Sequence, residues 1–437
     1  MSQEIELLSP ARSVKNMRYA FHYGANAVYG GLPRYSLRVR NNELNSKKLV
    51  QCIREAHEMK KKFYVVANII SHNNKVKTFI DDISPIVEMN PDAIIVSDPG
   101  MILLIQKKFP KINIHLSVQA NTTNFLSVKF WKDIGIKRII LARELTTKEI
   151  YEIHKNNPKV ELEVFIHGSL CIAYSGRCLI SSYLKRKDSN QGVCDHSCRK
   201  AFSIKKNRRT LKRRDFSEEE VSSDIGRFQT DSKVLSIIED QHGSYIMNSK
   251  DLCAIESIRD LIEAGVSSFK IEGRSKSTFY CARTTQIYRR AIDDVISGKK
   301  NINKSLIRML NNLSNRGYTS GFFRKDRSCE FHQNYERSHS LSASQKFVGE
   351  FTGKYKEGFA EVLVKNKFCV GNNLELMNSK KNIQFFIKKI FDERWNSIFC
   401  AKNNEIVYIS LPEIENPFDL KFSILLLNLE NGNKTAI

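Results

Sequence analysis

The chain has 437 residues, enough to bury a large core and to form two or three domains, which excludes a peptide or a linker. Its 70 Lys plus Arg against 47 Asp plus Glu give a formal charge of +23, which suits a polyanion such as RNA, although diffuse excess Lys is also a solvated surface. The start, Met-Ser-Gln-Glu-Ile-Glu, lacks the basic and apolar stretches of a signal peptide, and no apolar run approaches about 18 residues, so a soluble cytoplasmic protein with no membrane contact is expected.

From the N-terminus, short apolar segments rich in β-branched residues alternate with amphipathic stretches of helix length. Strands are expected at residues 5–9, 27–31, 63–68, 93–98, 114–119, 138–143, 162–168 and 268–273. This α/β alternation predicts a (β/α)8 TIM-like barrel over residues 1–323, with its site at the C-terminal ends of the strands. Strand parity places His115, Ser117 and Gln119 on one face, Glu163 and His167 on another, and Lys270 with Glu272 on a third. Such polar inward faces indicate a site or a buried ion-pair network. His167, Glu272, Gln119 and Arg143, near strand ends, read as site residues, whereas Glu163, deeper in its strand, is equally a structural partner for Lys270.

About 100 residues separate the last two strands. Within that gap an insertion, 169–243, begins with Cys171, Cys178, Cys194 and Cys198, spaced Cys-x6-Cys-x15-Cys-x3-Cys. Clustered thiols in a reducing compartment point to an iron-sulfur cluster or a structural zinc site more than to disulfides. The Cys-x3-Cys-x2-Cys pattern of radical enzymes is broken at Ala201. Cys52, Cys253, Cys281, Cys329, Cys369 and Cys400 are scattered and expected to stay reduced, as small buried hydrophobes. Directly after Cys198 come nine basic residues and no acid: Arg199, Lys200, Lys205, Lys206, Arg208, Arg209, Lys212, Arg213 and Arg214. A phosphate backbone beside the cysteines is the natural partner. Residues 324–346 read as a linker, and 347–437 alternate as short antiparallel strands of a small β-barrel domain.

The run LEVFIHGSLCIAYSGRCLISSY, with NQGVCDHSCRK after it, resembles the collagenase-like peptidase U32 family at Glu163, Phe165, His167, Gly168, Cys171, Ser175, Gly176, Cys178 and Ser181. ELLSPA, SVQAN at 117–121, LAREL at 141–145, NSKDL at 248–252 and FKIEGRSKS at 269–277 agree, so the resemblance covers nearly the whole chain and is strongest to the family's tRNA-hydroxylating branch. It implies a barrel enzyme with a 4Fe-4S cluster that takes part in converting the wobble uridine of a tRNA anticodon loop to 5-hydroxyuridine, linked to prephenate rather than to molecular oxygen. Carried over, the ligands are Cys171, Cys178, Cys194 and Cys198, with Cys253 as the alternative fourth, and iron-sulfur assembly machinery becomes a partner. His167, Glu272 and Glu163 are the candidates for acid-base work. Arg143, Lys270, Arg274, Gln119, His115 and Asn248 are the candidates for binding substrate, the cations for a small dicarboxylate such as prephenate.

Two other classes stay open. Proteolysis has little support: there is no Gly-x-Ser-x-Gly elbow, His57-Glu58-Met59-Lys60-Lys61 lacks the second zinc-protease histidine, and a Cys171–His167 pair leaves three cysteines unexplained. A zinc-stabilised RNA-binding protein without catalysis is the third reading.

Overall fold

The computed structural model describes residues 4–37, 42–171, 173–185, 187–194, 196, 198, 203–206, 226–230, 233–236, 249–324, 344–412 and 420–429. Strands and helices alternate from the start: β1 (Glu6–Pro10), α1 (Val14–His22), β2 (Ala27–Gly31), α2 (Ser46–Glu58), β3 (Lys62–Ala67), α3 (Asn73–Val87), β4 (Ala93–Val96), α4 (Pro99–Lys108), β5 (Ile114–Leu116), α5 (Phe125–Asp133), β6 (Arg138–Ile140), α6 (Thr147–Asn156) and β7 (Glu161–Ser169). Within the insertion lie α7 (Ile180–Lys185) and an antiparallel sheet of β8 (Ser203–Lys206), β9 (Gly226–Thr230) and β10 (Lys233–Ser236). The barrel region is completed by β11 (Asp251–Cys253), α8 (Ile258–Glu263), β12 (Val266–Ile271), α9 (Thr278–Ile296), α10 (Lys304–Asn311) and β13 (Tyr318–Thr319).

β1 to β7 pair in order and in parallel, and β12 pairs with both β1 and β7, which closes an eight-stranded barrel. Its strands are buried on both faces, as helix-covered parallel strands must be. Helix starts obey local chemistry: Ser13, Asn45, Asn124 and Ser277 accept a main-chain N–H, and Thr146 with Glu149 forms a reciprocal capping box. Asp98 caps α4 with Pro99 in its first turn, where the missing N–H costs nothing. β11 runs antiparallel to the end of β7 and pairs with β13, extending the sheet beyond the barrel just where the insertion returns.

The C-terminal domain comprises β14 (Gln345–Lys356), β15 (Phe359–Val364), β16 (Phe368–Cys369), β17 (Asn373–Met377), β18 (Asn382–Phe386), β19 (Ile390–Phe391), β20 (Cys400–Ala401), β21 (Ile406–Ser410) and β22 (Ile424–Asn428). Seven of these form one antiparallel sheet, ordered β18-β17-β22-β14-β15-β21-β19, around a core that includes Val348, Val362, Leu374, Val407 and Leu425. The domain packs on the barrel through Tyr19, Tyr23 and Ala282 against Met377, Ile424 and Leu426. Beside that apolar patch Arg283, fully buried on α9, places Nη2 2.7 Å from Glu375 Oε1, and Tyr23 donates to the Met377 carbonyl at 3.0 Å. An unpaired guanidinium there would be costly, so the pair specifies how the two units dock.

One cysteine expectation is overturned. Cys369 and Cys400 are joined as a disulfide, because the β16–β20 ladder sets them directly opposite with Cα atoms 4.0 Å apart. Cys52 and Cys281 are buried thiols as expected, and Cys329 lies outside the described residues. Among the described residues no helix is long and apolar enough to cross a membrane.

Candidate active site at the barrel mouth

At the end of β7 the chain turns on Gly168, whose φ is +109° and where an added Cβ would stand 2.5 Å from the Glu272 carbonyl oxygen. Only glycine meets both conditions. Glu272 N donates to the His167 carbonyl at 2.8 Å, so the tips of β7 and β12 are held together and the cysteine loop leaves directly above them. Gly176, with φ +78°, brings that loop against the Gln119 carbonyl, 2.7 Å from where a Cβ would be.

Arg143, just after β6, fastens the loop at two points: Nη1 donates to the Ser169 carbonyl at 3.1 Å and Nη2 to Ser175 Oγ at 2.9 Å. Its guanidinium lies 5.3 Å from the centre of the Phe165 ring. Further on, Ser189 Oγ and Asn190 Nδ2 donate to the Cys178 carbonyl at 2.6 and 3.2 Å. The Asn190 carbonyl in turn accepts from Ile70 N at 3.3 Å, which ties the loop to the end of β3.

These contacts shape one pocket at the C-terminal ends of the strands. Cys171, Cys178, Cys194 and Cys198 line it together with Gln119, Arg143, Glu272 and Arg274. Phe165, Asn68, Tyr174 and His196 complete its chemistry-bearing wall. Asn68, at the tip of β3, had a readable signal, a polar residue at a strand end; Tyr174, more often a packing residue at such a position, is half exposed over the pocket. Among the described residues no group of three or more His, Cys, Asp or Glu stands close enough to hold a metal ion. The four thiols suit a cluster in donor type, and all four line this one pocket. Cys194 Sγ already has His196 N at 3.4 Å and Ser181 Oγ at 3.6 Å, the kind of polar neighbours that tune a thiolate ligand. Cys253 is elsewhere: Tyr288 Oη is 3.7 Å from its sulfur, and burial pushes its thiol up to about 11.

Below the pocket, polar side chains fill the lumen. Lys270 Nζ is 2.7 Å from Glu163 Oε1, Arg138 reaches Glu163 Oε2 at 3.4 Å, and Arg138 also pairs with Glu6. Burial lowers the Lys270 pKa, opposed by Glu163. His115, fully inside, has its pKa held well below the ordinary value by burial and then by Arg138 and Lys270. Glu163, Lys270 and His115 therefore form the layer beneath the pocket and do not line it. Tyr29 bridges the two layers: Lys270 Nζ is 4.4 Å from its ring centre, and its hydroxyl is 3.3 Å from Glu272 Oε2. Arg274 lies over the same ring at 5.5 Å.

The expected sharing of one face by Glu163 and His167 fails. The β7–β12 register shifts between Lys270↔Phe165 and Ile271↔His167, a bulge that adds a residue and rotates the rest of the strand. Phe165, two residues after Glu163 and before the bulge, keeps the lumen face and reaches the pocket, while His167, beyond the bulge, turns into a cage of Tyr280, Tyr288 and Tyr318 rings, with Nδ1 3.2 Å from Tyr288 Oη. It is 1% exposed, and burial lowers its pKa to about 3. Gln119 reaches the pocket by another route than strand parity, since β5 stops at Leu116 and a short 3-10 turn, Val118–Ala120, carries it there. The backbone of Lys205 and Lys206 belongs to β8; Arg199, Lys200, Arg208, Arg209, Lys212, Arg213, Arg214 and Asn248 lie outside the described residues.

The sequence pattern of peptidase family U32 matches residues 12–333, and that of the family's C-terminal domain matches 343–420. A protein of Haemophilus influenzae described as tRNA hydroxylation protein P is 48% identical over 451 residues, covering 98% of this chain and 97% of its own. The Escherichia coli protein of the same description is 48% identical over 442 residues, covering 97% and 96%. A Methanocaldococcus jannaschii protein described as an uncharacterized protease is 33% identical over 414 residues, covering 93% and 95%. Matched by the family's pattern over most of its length and by these relatives nearly end to end, the chain belongs to peptidase family U32.

Proposed function

We propose that this protein takes part in hydroxylating the wobble uridine of tRNA to 5-hydroxyuridine, with a 4Fe-4S cluster on Cys171, Cys178, Cys194 and Cys198 and a small dicarboxylate such as prephenate bound beside it. The observation that carries the reading is one pocket, at the end of the barrel where such folds do their chemistry, lined by four thiols and two arginines. It is joined by 48% identity, nearly end to end, to relatives described as tRNA hydroxylation proteins.

When bound, the cluster would supply electrons or a Lewis-acidic iron, which side chains lack. The chain's own residues do the positioning. Arg143 and Arg274 give the pocket two cations for a dicarboxylate, and Arg143 also holds the cysteine loop, so the anion site and the thiols are mechanically linked. Gln119 offers an amide group suited to the edge of a uracil, while the Asn68 amide, which accepts from Leu37 N and donates to Ser117 Oγ, braces the wall beside it. Tyr29, its pKa raised well above the ordinary value by burial and then by Glu272, keeps its proton and donates to the Ile271 carbonyl at 2.8 Å, with Glu272 as a second acceptor. Glu272 is thereby oriented on the pocket wall for proton transfer. His167, in its tyrosine cage, takes no part.

The Cys171–His167 pairing that a thiol peptidase would use here has no support, since a thiol nucleophile needs its histidine within hydrogen-bond reach, and the ring nitrogen of His167 that has a partner faces Tyr288 while Cys171 lines the pocket. The test is nucleoside analysis of total tRNA from cells lacking the gene and complemented with wild type, Cys178→Ala or Arg143→Ala. 5-Hydroxyuridine or its derivatives should return with wild type alone; equal levels in the uncomplemented cells would overturn the assignment.

A further inference from the structure

The two faces of β18 are unequally covered. Phe385, opposite Leu374, packs into the core of the C-terminal domain. The other face is the one that meets the barrel: Glu375, opposite Gln384, pairs with Arg283, and Asn382 Oδ1 accepts from Gln286 at 2.9 Å. Phe386 ends that same row, opposite Asn373, yet is 66% exposed.

A second bare ring stands on the other side of the neighbouring chain segment. Phe399 is 71% exposed, and its carbonyl accepts from Val370 N at 2.9 Å, while Gly371 N donates to the Ile387 carbonyl at 2.8 Å. Phe386 and Phe399 thus flank the Val370–Asn372 segment, where a Cβ added at Gly371 would meet nothing within 4 Å. Lys388 and Lys389, both exposed, continue the chain from Phe386. The hairpin turn between β17 and β18 packs at Arg290, whose Nη2 donates to the Lys380 carbonyl at 3.0 Å. Since α9 begins at the mouth and Arg290 lies towards its far end, the open end of the hairpin, with Phe386, is directed back towards the mouth.

We propose that Phe386 and Phe399, with Lys388 and Lys389, form a stacking platform for unpaired bases of the RNA substrate. The inference rests on the tRNA reading of the pocket. Every base offers a π-face to an exposed ring, adjacent ammonium groups neutralise its phosphates, and stacking is worth about ten-fold in affinity per base. A second copy of this chain fits less well, since two lysines beside the rings in a chain of +23 net charge would repel their own image.

The experiment uses full-length protein carrying Phe386→Ala and Phe399→Ala, with tRNA binding followed by fluorescence anisotropy and folding by thermal melting. The expected result is affinity about ten- to hundred-fold weaker at unchanged melting temperature, recovered when both positions are Tyr, and a salt slope shallower by about two for Lys388→Ala with Lys389→Ala. Binding within two-fold of wild type in the double Phe variant would overturn the platform and leave the tRNA reading standing. Loss of self-association in place of RNA affinity would reassign the rings to a dimer, and failure of wild type to bind any RNA would remove the tRNA reading and the platform with it.

Discussion

Arg143 Nη2 stands 2.9 Å from Ser175 Oγ while Nη1 holds the Ser169 carbonyl, so one guanidinium joins the tip of β7 to the middle of the cysteine loop. Lysine offers a single point charge in place of this planar fork. Arg143→Lys is expected to lower hydroxylation at least ten-fold and to reduce bound iron per chain, with the barrel's melting temperature nearly unchanged. Iron assay, melting curve and tRNA nucleoside analysis on one preparation check this, and full iron content with full activity would show that the clamp is dispensable.

Gly168→Ala acts on the same corner through the backbone. A methyl group there faces both a φ of +109° and a carbonyl oxygen 2.5 Å away, so the strand end must shift. A loss of about 2–4 kcal/mol is expected, measured by denaturant unfolding.

Glu163 neutralises Lys270 and Arg138 inside the lumen. Glu163→Gln leaves two buried cations short of a carboxylate and should cost about 3–5 kcal/mol. Adding Lys270→Met should recover much of that loss, because removing both partners is far cheaper than stranding one. A double variant no more stable than the single one would contradict the pairing.

His167 gives a pH dependence of known sign. Its folded pKa, about 3, lies below the ordinary 6.5 because burial disfavours the charged ring, so between these values the unfolded chain binds the extra proton. Its contribution is intact above pH 6.5 and is lost as pH falls towards 3, at up to about 1.4 kcal/mol per pH unit. Urea unfolding at pH 7, 6 and 5 should therefore show a steeper acid loss in wild type than in His167→Phe.

Thiol labelling separates the cysteine classes. In metal-free protein Cys171, Cys178, Cys194 and Cys198, on the pocket wall, should react quickly with iodoacetamide. Cys52 and Cys281, their thiols pushed up to about 12 by burial, and Cys253 should react only on unfolding, and Cys369 with Cys400 only after reduction. Peptide mass spectrometry reads all of these together.

The barrel was legible because eight strands announce themselves as short β-branched runs between capped helices, and β2, read at 27–31, lies at those residues. That Cys171, Cys178, Cys194 and Cys198 belong together was legible from spacing, and all four line one pocket. What escaped was geometry that no two-residue alternation carries: the bulge after Phe165 that sends His167 outward, and the 3-10 turn that presents Gln119. The Arg283–Glu375 docking pair joins residues far apart in the chain on a helix and a strand that each look ordinary, and the Cys369–Cys400 bond depends on ladder register.

The measurement that bears most directly on the central claim is anaerobic purification of wild type and Cys178→Ala, with the visible spectrum and assays for iron, sulfide and zinc on each. The account predicts the broad absorption of a thiolate-ligated iron-sulfur centre with about four irons per chain, lost in the variant. Zinc without iron, or a metal-free protein that still restores 5-hydroxyuridine, would contradict it.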